Sequence, residues 1–224
     1  MLRHKIRLRL YEISSFRRDG LTRLIYLFVG DRVHKVDPAR LRAEGAVLKP
    51  TIIHRYTDFQ YTFRDDYQAM LTALTKDEAR NYQIIKDILR EIQQRSGVIL
   101  VVSDRVKHCE CLADLLRKER VRIAILTGGI PSKERTQIVE AVQHDNVQVL
   151  VSTLQLLSEG FDCPSLTTLF LCSPIKFSGR LLQVMGRILR PGPNKQAKLY
   201  DYIDRPGVLR ASARSRQRVY RQAA

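Results

Sequence analysis

Gln183, Arg187 and Arg190 stand at i, i+4 and i+7 of the run Gln183-Val184-Met185-Gly186-Arg187-Ile188-Leu189-Arg190-Pro191. Wound into an α-helix at about 100° per residue, they share an arc of about 60°. Leu181, Leu182, Met185, Ile188 and Leu189 fall on the other side, so the helix packs on a core and presents one amide and two guanidinium forks outward. Forks held at one spot suit a polyanion. Gly186 in mid-helix costs about 1 kcal/mol against Ala, which predicts a close approach by backbone or ligand there. Pro191-Gly192-Pro193 stops the helix behind Arg190 and fixes where the second guanidinium ends. An amphipathic helix with arginine on its wet face is also an ordinary surface element, so the surroundings decide its meaning.

A second set of residues has the chemistry of a phosphate-backbone track. Ser103-Asp104-Arg105, Thr127-Gly128-Gly129, Ser152-Thr153 and Ser173-Pro174 are short loops, small, hydroxyl-bearing or glycine-containing, in which N–H and O–H donors can approach phosphates. Glu159-Gly160-Phe161-Asp162-Cys163-Pro164 adds two carboxylates around a glycine. No histidine or nucleophile is spaced to work with them as a general acid–base pair, and acceptance of hydrogen bonds from ribose hydroxyls or orientation of arginine is the more economical role. Cys109, Cys111, Cys163 and Cys172 have neither C-x-x-C nor paired-histidine spacing, so they read as reduced, mostly buried thiols and not as zinc ligands.

The elements that position these residues follow from periodicity. Ile6, Leu8 and Leu10 alternate like a strand, Leu24–Gly30 reads as helical, Arg32–Val36 as an edge strand, and Asp37-Pro38-Ala39-Arg40 as a helix start. Lys49 to Phe63 is extended in character, and helices are predicted over Asp66–Leu74 and Asp77–Gln94, the second with an apolar stripe at Ile84, Ile85, Ile88, Leu89 and Ile92. Beyond Gly97 the pattern becomes regular. Strands over Gly97–Ser103, Arg122–Leu126, Val147–Val151, Leu166–Leu171 and Lys198–Ile203 alternate with helices over Asp104–Lys118, which Asp104 is placed to cap, over Ser132–Gln143, and through Gln183. Near-continuous apolar strands alternating with helices mean an α/β fold, a parallel sheet covered on both faces, with ligands at the carboxyl ends of the strands. The segment from Arg205 carries five further arginines, Arg210 to Arg221, and no acid, and reads as a basic arm or helix.

Thirty-nine Lys and Arg against twenty-three Asp and Glu give a formal charge of +16, a field that attracts phosphate polymers in a salt-sensitive way. Nucleic acid is the partner this predicts. No apolar run reaches the roughly 18 residues that cross a bilayer and the N-terminus leads into no signal-type block, so the expectation is a cytoplasmic protein with no membrane partner.

Taken in order, Ser152-Thr153, Glu159-Gly160-Phe161-Asp162-Cys163-Pro164, Ser173-Pro174 and Gln183-x-x-Gly186-Arg187-x-x-Arg190-Pro191 resemble the second RecA-like domain of superfamily 2 helicases, of the DEAD/DEAH-like group of DNA-repair helicases and restriction-enzyme motors. The resemblance covers about Gly97 to Asp204. It implies a RecA-like parallel sheet over 49–204, preceded by a segment 1–48 in which Arg17-Arg18-Asp19-Gly20-Leu21 resembles the exit from a first motor domain, and followed by a basic tail 205–224. By the same resemblance Arg187 and Arg190 are the catalytic residues that reach the γ-phosphate of ATP, Arg190 being the arginine finger. Gln183, Gly160, Asp162 and Glu159 then border the nucleotide, and Ser103, Arg105, Thr127, Gly128 and Thr153 hold the nucleic-acid backbone. Gln183, where DEAD-box RNA helicases carry histidine, makes DNA the expected partner ahead of RNA.

The sequence also departs from a whole motor. It holds no G-x-x-x-x-G-K-[ST] loop for the β- and γ-phosphates and no D-E-x-[DH] box for Mg²⁺. The resemblance therefore implies that ATP and Mg²⁺ are held mainly by a first RecA-like motor domain in the same or another chain. It also implies that this chain supplies the finger and part of the track of a DNA helicase or translocase, and that alone it is inactive. A non-catalytic nucleic-acid-binding or adaptor module with the same fold is the alternative reading, and a self-contained phosphate enzyme lacks a phosphate loop of its own.

Overall fold

The computed structural model describes residues 27, 40, 45–94, 97–144, 146–157, 163, 165–175, 178–192 and 194–223. Every element below lies in the unit Pro38–Ala224. The expectations for residues 1–39 fall outside the described residues, Leu27 apart, which is helical and exposed.

Six strands, β1 (Thr51–Tyr56), β2 (Val98–Ser103), β3 (Ile123–Leu126), β4 (Val149–Thr153), β5 (Leu166–Leu171) and β6 (Lys198–Ile203), form one sheet in the order β1-β6-β5-β2-β4-β3. All five pairings are parallel. The helices are α1 (Tyr67–Lys76), α2 (Glu78–Gln93), α3 (Val106–Lys118), α4 (Ser132–Gln143), the single turn α5 (Leu154–Leu157), α6 (Ser178–Ile188) and α7 (Gly207–Ala223). The α/β parallel sheet read from the sequence is the sheet found. Its fourth strand lies two residues further along than the apolar run Val147–Val151 suggests, because Ser152 and Thr153 pair with Leu126, Val102 and Ser103 at the strand ends.

Strand alternation divides the core into two layers. On β2, Val98, Leu100 and Val102 face one layer with Val142 of α4, Leu181, Val184, Met185 and Ile188 of α6, and Val219 and Tyr220 of α7. Ile99 and Val101 face the other, with Ile84, Ile85 and Ile88 of α2 and Cys109, Leu112 and Leu116 of α3. Coverage on both sides is why β2, β4 and β5 are buried throughout and mostly apolar, whereas β1, at the edge, mixes exposed and half-buried residues. Gly97 admits the chain to β2 at φ +102°, and a Cβ there would lie 2.6 Å from Thr167 Cγ2 and 3.1 Å from the Ser165 carbonyl oxygen. Only glycine fits.

A polar ladder welds α2 to β6. Lys198, Tyr200, Tyr202 and Asp204 share one face of the strand, and Arg80, Asp87 and Glu91 share one face of the helix. Lys198 Nζ donates to Glu91 Oε2 at 3.0 Å and Tyr200 Oη to Glu91 Oε1 at 2.7 Å. Tyr202 Oη donates to Asp87 Oδ2 at 3.1 Å, and Arg55 Nε of β1 to the same oxygen at 2.8 Å. At the carboxyl end Arg80 Nε donates to Asp204 Oδ1 at 2.8 Å and its Nη1 to the Cys172 carbonyl at 2.9 Å, with Thr57 Oγ1 also donating to Asp204. Both charges of the Arg80–Asp204 pair are buried, so removing either strands the other at a cost of about 3–5 kcal/mol.

The helix starts show where side-chain capping holds and where it does not. Asp66 accepts from the N–H groups of Gln68 and Ala69, and Asp77 from that of Arg80. Asp104 does not cap α3, contrary to expectation. The helix starts at Val106, one residue later than a cap at Asp104 requires, and Arg105 occupies the cap position with no side-chain bond, while the Asp104 N–H donates to Ser173 Oγ at 2.8 Å and ties the ends of β2 and β5 together. The arginine-rich stretch after Arg205 is the helix α7, which buries Leu209, Ala213, Arg216, Val219 and Tyr220 on one side.

Candidate nucleic-acid and nucleotide interface

The parallel sheet brings the ends of β2, β3, β4 and β5 to one edge, and a cavity of about 500 Å³ opens there. Arg105, Gly128 and Thr153, three of the five residues expected on a backbone track, line it together with Asp104, Arg135 and Arg180. Three guanidiniums thus face one carboxylate. The enclosing walls raise the Asp104 carboxyl pKa, against the pull of Arg180 and Arg105. Arg105 donates to Gln68 Oε1 of α1, and Arg135 Nε donates to the Ile130 carbonyl at 2.9 Å, holding the Thr127–Ile130 turn against α4.

Ser103 and Thr127, the other two, are buried. The Ser103 hydroxyl is turned inward into a chain of bonds whose polarity is fixed from its far end. Asn81 donates through Nδ2 to the Thr75 carbonyl at 3.0 Å, so its Oδ1 accepts from His108 Nε2 at 2.9 Å. His108 Nδ1 is then the acceptor for Ser103 Oγ, also at 2.9 Å, and Ser103 Oγ accepts the Arg105 N–H at 3.3 Å. His108 is 1% exposed, and burial, with the nearby Arg80 charge, lowers its pKa to about 3, so the ring is neutral as this polarity requires. Ser103 therefore shapes the loop that carries Arg105 and does not itself face the cavity.

Gln183, Arg187 and Arg190 do not line that cavity. On α6, Leu181, Val184, Met185 and Ile188 are buried, Gln183 and Arg187 are half-buried, and Leu182, expected in the core, is 39% exposed. The helix ends at Ile188, short of Arg190. Leu189 closes the last turn by donating its N–H to the Met185 carbonyl, is itself buried, and accepts the Leu48 N–H at 2.8 Å. Arg190 follows on the exposed bend before Pro191, so its position is set by that anchored end and not by the helical arc. Lys195 is close by: burial lowers its ammonium pKa and the Arg190 charge adds to this, against an opposing pull from Cys163. Gly186 is exposed, and among the described residues no atom beyond its own helical turn lies within 4 Å of a Cβ built on it, so none of them makes the close approach expected there. Glu159, Gly160 and Asp162 lie outside the described residues.

Sequence reading missed Gln68, Arg135 and Arg180 of the cavity wall, and the His108–Asn81 chain behind it. Arg180 precedes Gln183 by three residues, a spacing that carries no flag, and Arg135 is one of two cations on α4, with Lys133.

The family model described as "Helicase conserved C-terminal domain" matches residues 80–192, half of the chain. The chain belongs to this helicase C-terminal domain family. Of the helicase relatives, the ATP-dependent DNA helicase uvsW of Enterobacteria phage T4 is 24% identical over 217 residues, 93% of this chain and 43% of the relative. Transcript termination protein A18 of Fowlpox virus is 29% identical over 157 residues, 69% of this chain and 34% of the relative. The crystal structure of T4 UvsW superposes with a TM-score of 0.63 at 20% identity, over 79% of this chain and 40% of that one. The chain thus spans less than half the length of these relatives, and its fold is the RecA-like fold of superfamily 2 helicase C-terminal domains. Among the described residues no helix is long and apolar enough to cross a membrane.

Proposed function

We propose that this helicase C-terminal domain is the second half of an ATP-dependent DNA motor, lending an arginine finger to ATP held by a first RecA-like domain and a stretch of track to the nucleic acid. The observation that carries the reading is the family match that ends at Gly192, two residues past Arg190. Two guanidiniums at the anchored end of α6 have the donor chemistry of a triphosphate partner, and Gln183 stands one turn before Arg187. With Glu159, Gly160 and Asp162 they form the nucleotide-facing set. Among the described residues no three acids, histidines or cysteines are grouped to hold a metal ion, and this reading assigns Mg²⁺ to the first domain, where the D-E-x-[DH] box of such motors resides. Bound ATP supplies the γ-phosphoryl group, and Arg190 neutralises the charge that develops on it.

Arg105, Gly128, Thr153 and the flanking Arg180 contact backbone phosphates at the strand ends, while Ser103 and Thr127 shape the loops that present them. The charge of +16 supports a nucleic-acid partner, and Gln183 with the name of the T4 relative supports DNA. The segments 1–48 and 205–224 flank the motor core 49–204 in this reading. The test joins the chain to a first motor domain and measures DNA-stimulated ATP turnover. Arg190→Ala is expected to lower kcat about 10³-fold or more, as for other arginine fingers, and unchanged turnover overturns the assignment.

A further inference from the structure

The segment after Arg205 is absorbed neither by the strand-end cavity nor by the nucleotide-facing set. In α7 its arginines are sorted. Arg216 is buried, donating through Nε to Asp201 Oδ1 at 2.8 Å and through Nη2 to the Tyr202 carbonyl at 3.1 Å, and thus fastens the helix to β6. Arg210, Arg214, Arg218 and Arg221 are all exposed, at i, i+4, i+8 and i+11, in one stripe opposite the buried Leu209, Ala213, Arg216 and Tyr220. None of the four side chains forms a hydrogen bond or ion pair among the described residues, and no acid occurs between Arg205 and Ala224.

Such a stripe repels itself. Like charges three or four residues apart on a helix destabilise it by about 0.2–0.5 kcal/mol per pair, and three such pairs follow one another here. A polyanion laid along the stripe reverses the sign of that term. The four positions climb about 6, 6 and 4.5 Å along the axis, about 16 Å in all, against one phosphate per 3.4 Å of axis on each strand of a duplex. The stripe carries no aromatic side chain, hence no platform for an unstacked base, and no apolar anchor for a bilayer. Its first two members also line a cavity of about 530 Å³ with Thr57 and Asp58 at the carboxyl ends of β1 and β6, where Arg205 engages the Asp58 carboxylate.

From this we infer that the exposed arginines of α7 form a second, sequence-independent contact with the phosphate backbone of duplex nucleic acid, separate from the strand-end cavity. The inference rests on the reading that the chain binds nucleic acid, and its test keeps the two apart. Affinity of the 224-residue chain for a duplex of about 20 base pairs is measured between 50 and 200 mM salt. The set comprises wild type, R210Q/R214Q/R218Q/R221Q, the half-stripes R210Q/R214Q and R218Q/R221Q, the strand-end variant R105Q/R180Q, and a charge-matched control with four scattered exposed cations replaced, K49Q/K86Q/K118Q/R120Q. Circular dichroism and melting of each verify the fold.

The quadruple variant is expected to bind about tenfold or more weakly and to flatten the slope of log affinity against log salt by about 3 to 4, each half-stripe by about half of that. The scattered control flattens it by less than about 1. Equal effects of stripe and control overturn the inference, leaving only net charge. Loss in R105Q/R180Q with the stripe variants unchanged overturns it while the nucleic-acid reading stands. The reverse pattern upholds it and removes the strand-end track. No duplex binding by wild type, or a stripe effect seen only on single strands or phosphatidylserine vesicles, overturns it as well.

Discussion

Among single residues His108 has the clearest measurable consequence. It is buried between Ser103 and Asn81 and neutral, with a folded pKa of about 3 where an unfolded histidine sits near 6.5. Between those two values the unfolded chain binds a proton that the folded chain does not. Stability therefore falls as pH drops through about 6.5 and continues to fall towards 3. His108→Gln keeps a donor for Asn81 but loses the acceptor for Ser103, so at pH 7 it is less stable than wild type by about 1–3 kcal/mol. It no longer has the proton to take up. The gap between the two proteins, read as urea midpoints, is expected to narrow from pH 7 to pH 4.5, and a gap that holds constant refutes the buried neutral ring. The residue scale is also where sequence reading reached least far. A lone histidine at the fifth residue of a predicted helix has no spacing to set it apart, and the direction of the Ser103 hydroxyl depends on Asn81, 22 residues upstream and on another helix.

Elements were far more legible than side-chain directions. Runs such as Val98–Val102 and Leu166–Leu171 are apolar at all or most positions because both faces of the sheet are covered, and that signal is written into the local sequence. Asp66 and Asp77 announce α1 and α2 by their chemistry. What periodicity does not encode is the residue at which a helix begins: Asp104 has the cap residue type, yet α3 starts at Val106 with Arg105 at the cap position, and the Asp104 N–H is tied to Ser173, 69 residues on. Nor does it encode where a helix yields to packing, and so the 60° arc drawn through Arg190 fails at Ile188, where buried Leu189 turns the chain. Gly97 tests the element scale. Gly97→Ala must both hold φ near +102° and push Thr167 from 2.6 Å, so a loss above about 2 kcal/mol is expected in denaturant unfolding, whereas Gly128→Ala, with open space at its Cβ, costs less than about 1. Equal costs would mean that the entry to β2 relaxes freely.

For the whole molecule, what matters is that the two candidate surfaces use different side chains, although α6 carries Arg180 into one and Arg187 towards the other. Arg105, Gly128 and Thr153 share a cavity at the ends of β2, β3 and β4, and the α6 terminus with Arg187 and Arg190 is no part of its lining. Within one such domain no side chain is common to both sets, and their one shared element, α6, is fixed by its buried face, so occupancy of one has no moving part through which to favour the other. Coupling must then come from a second domain that touches both ligands, as closing a cleft does. The isolated chain is therefore expected to bind DNA with an affinity that ATP changes by less than about twofold, and to turn over no ATP. Once joined to a first motor domain, a non-hydrolysable ATP analogue should shift DNA affinity by about 5- to 150-fold, the usual range of a coupling free energy of 1–3 kcal/mol, and DNA should shift analogue affinity by the same factor. Arg190→Ala in the joined protein is expected to bring both factors towards one while leaving DNA affinity without nucleotide intact, since Arg190 lies off the strand-end cavity. Equilibrium titrations of labelled duplex with and without the analogue measure all four affinities. A variant that lost DNA affinity in the absence of nucleotide would place Arg190 on the nucleic acid, and the division of labour between α6 and the strand ends would fall with it.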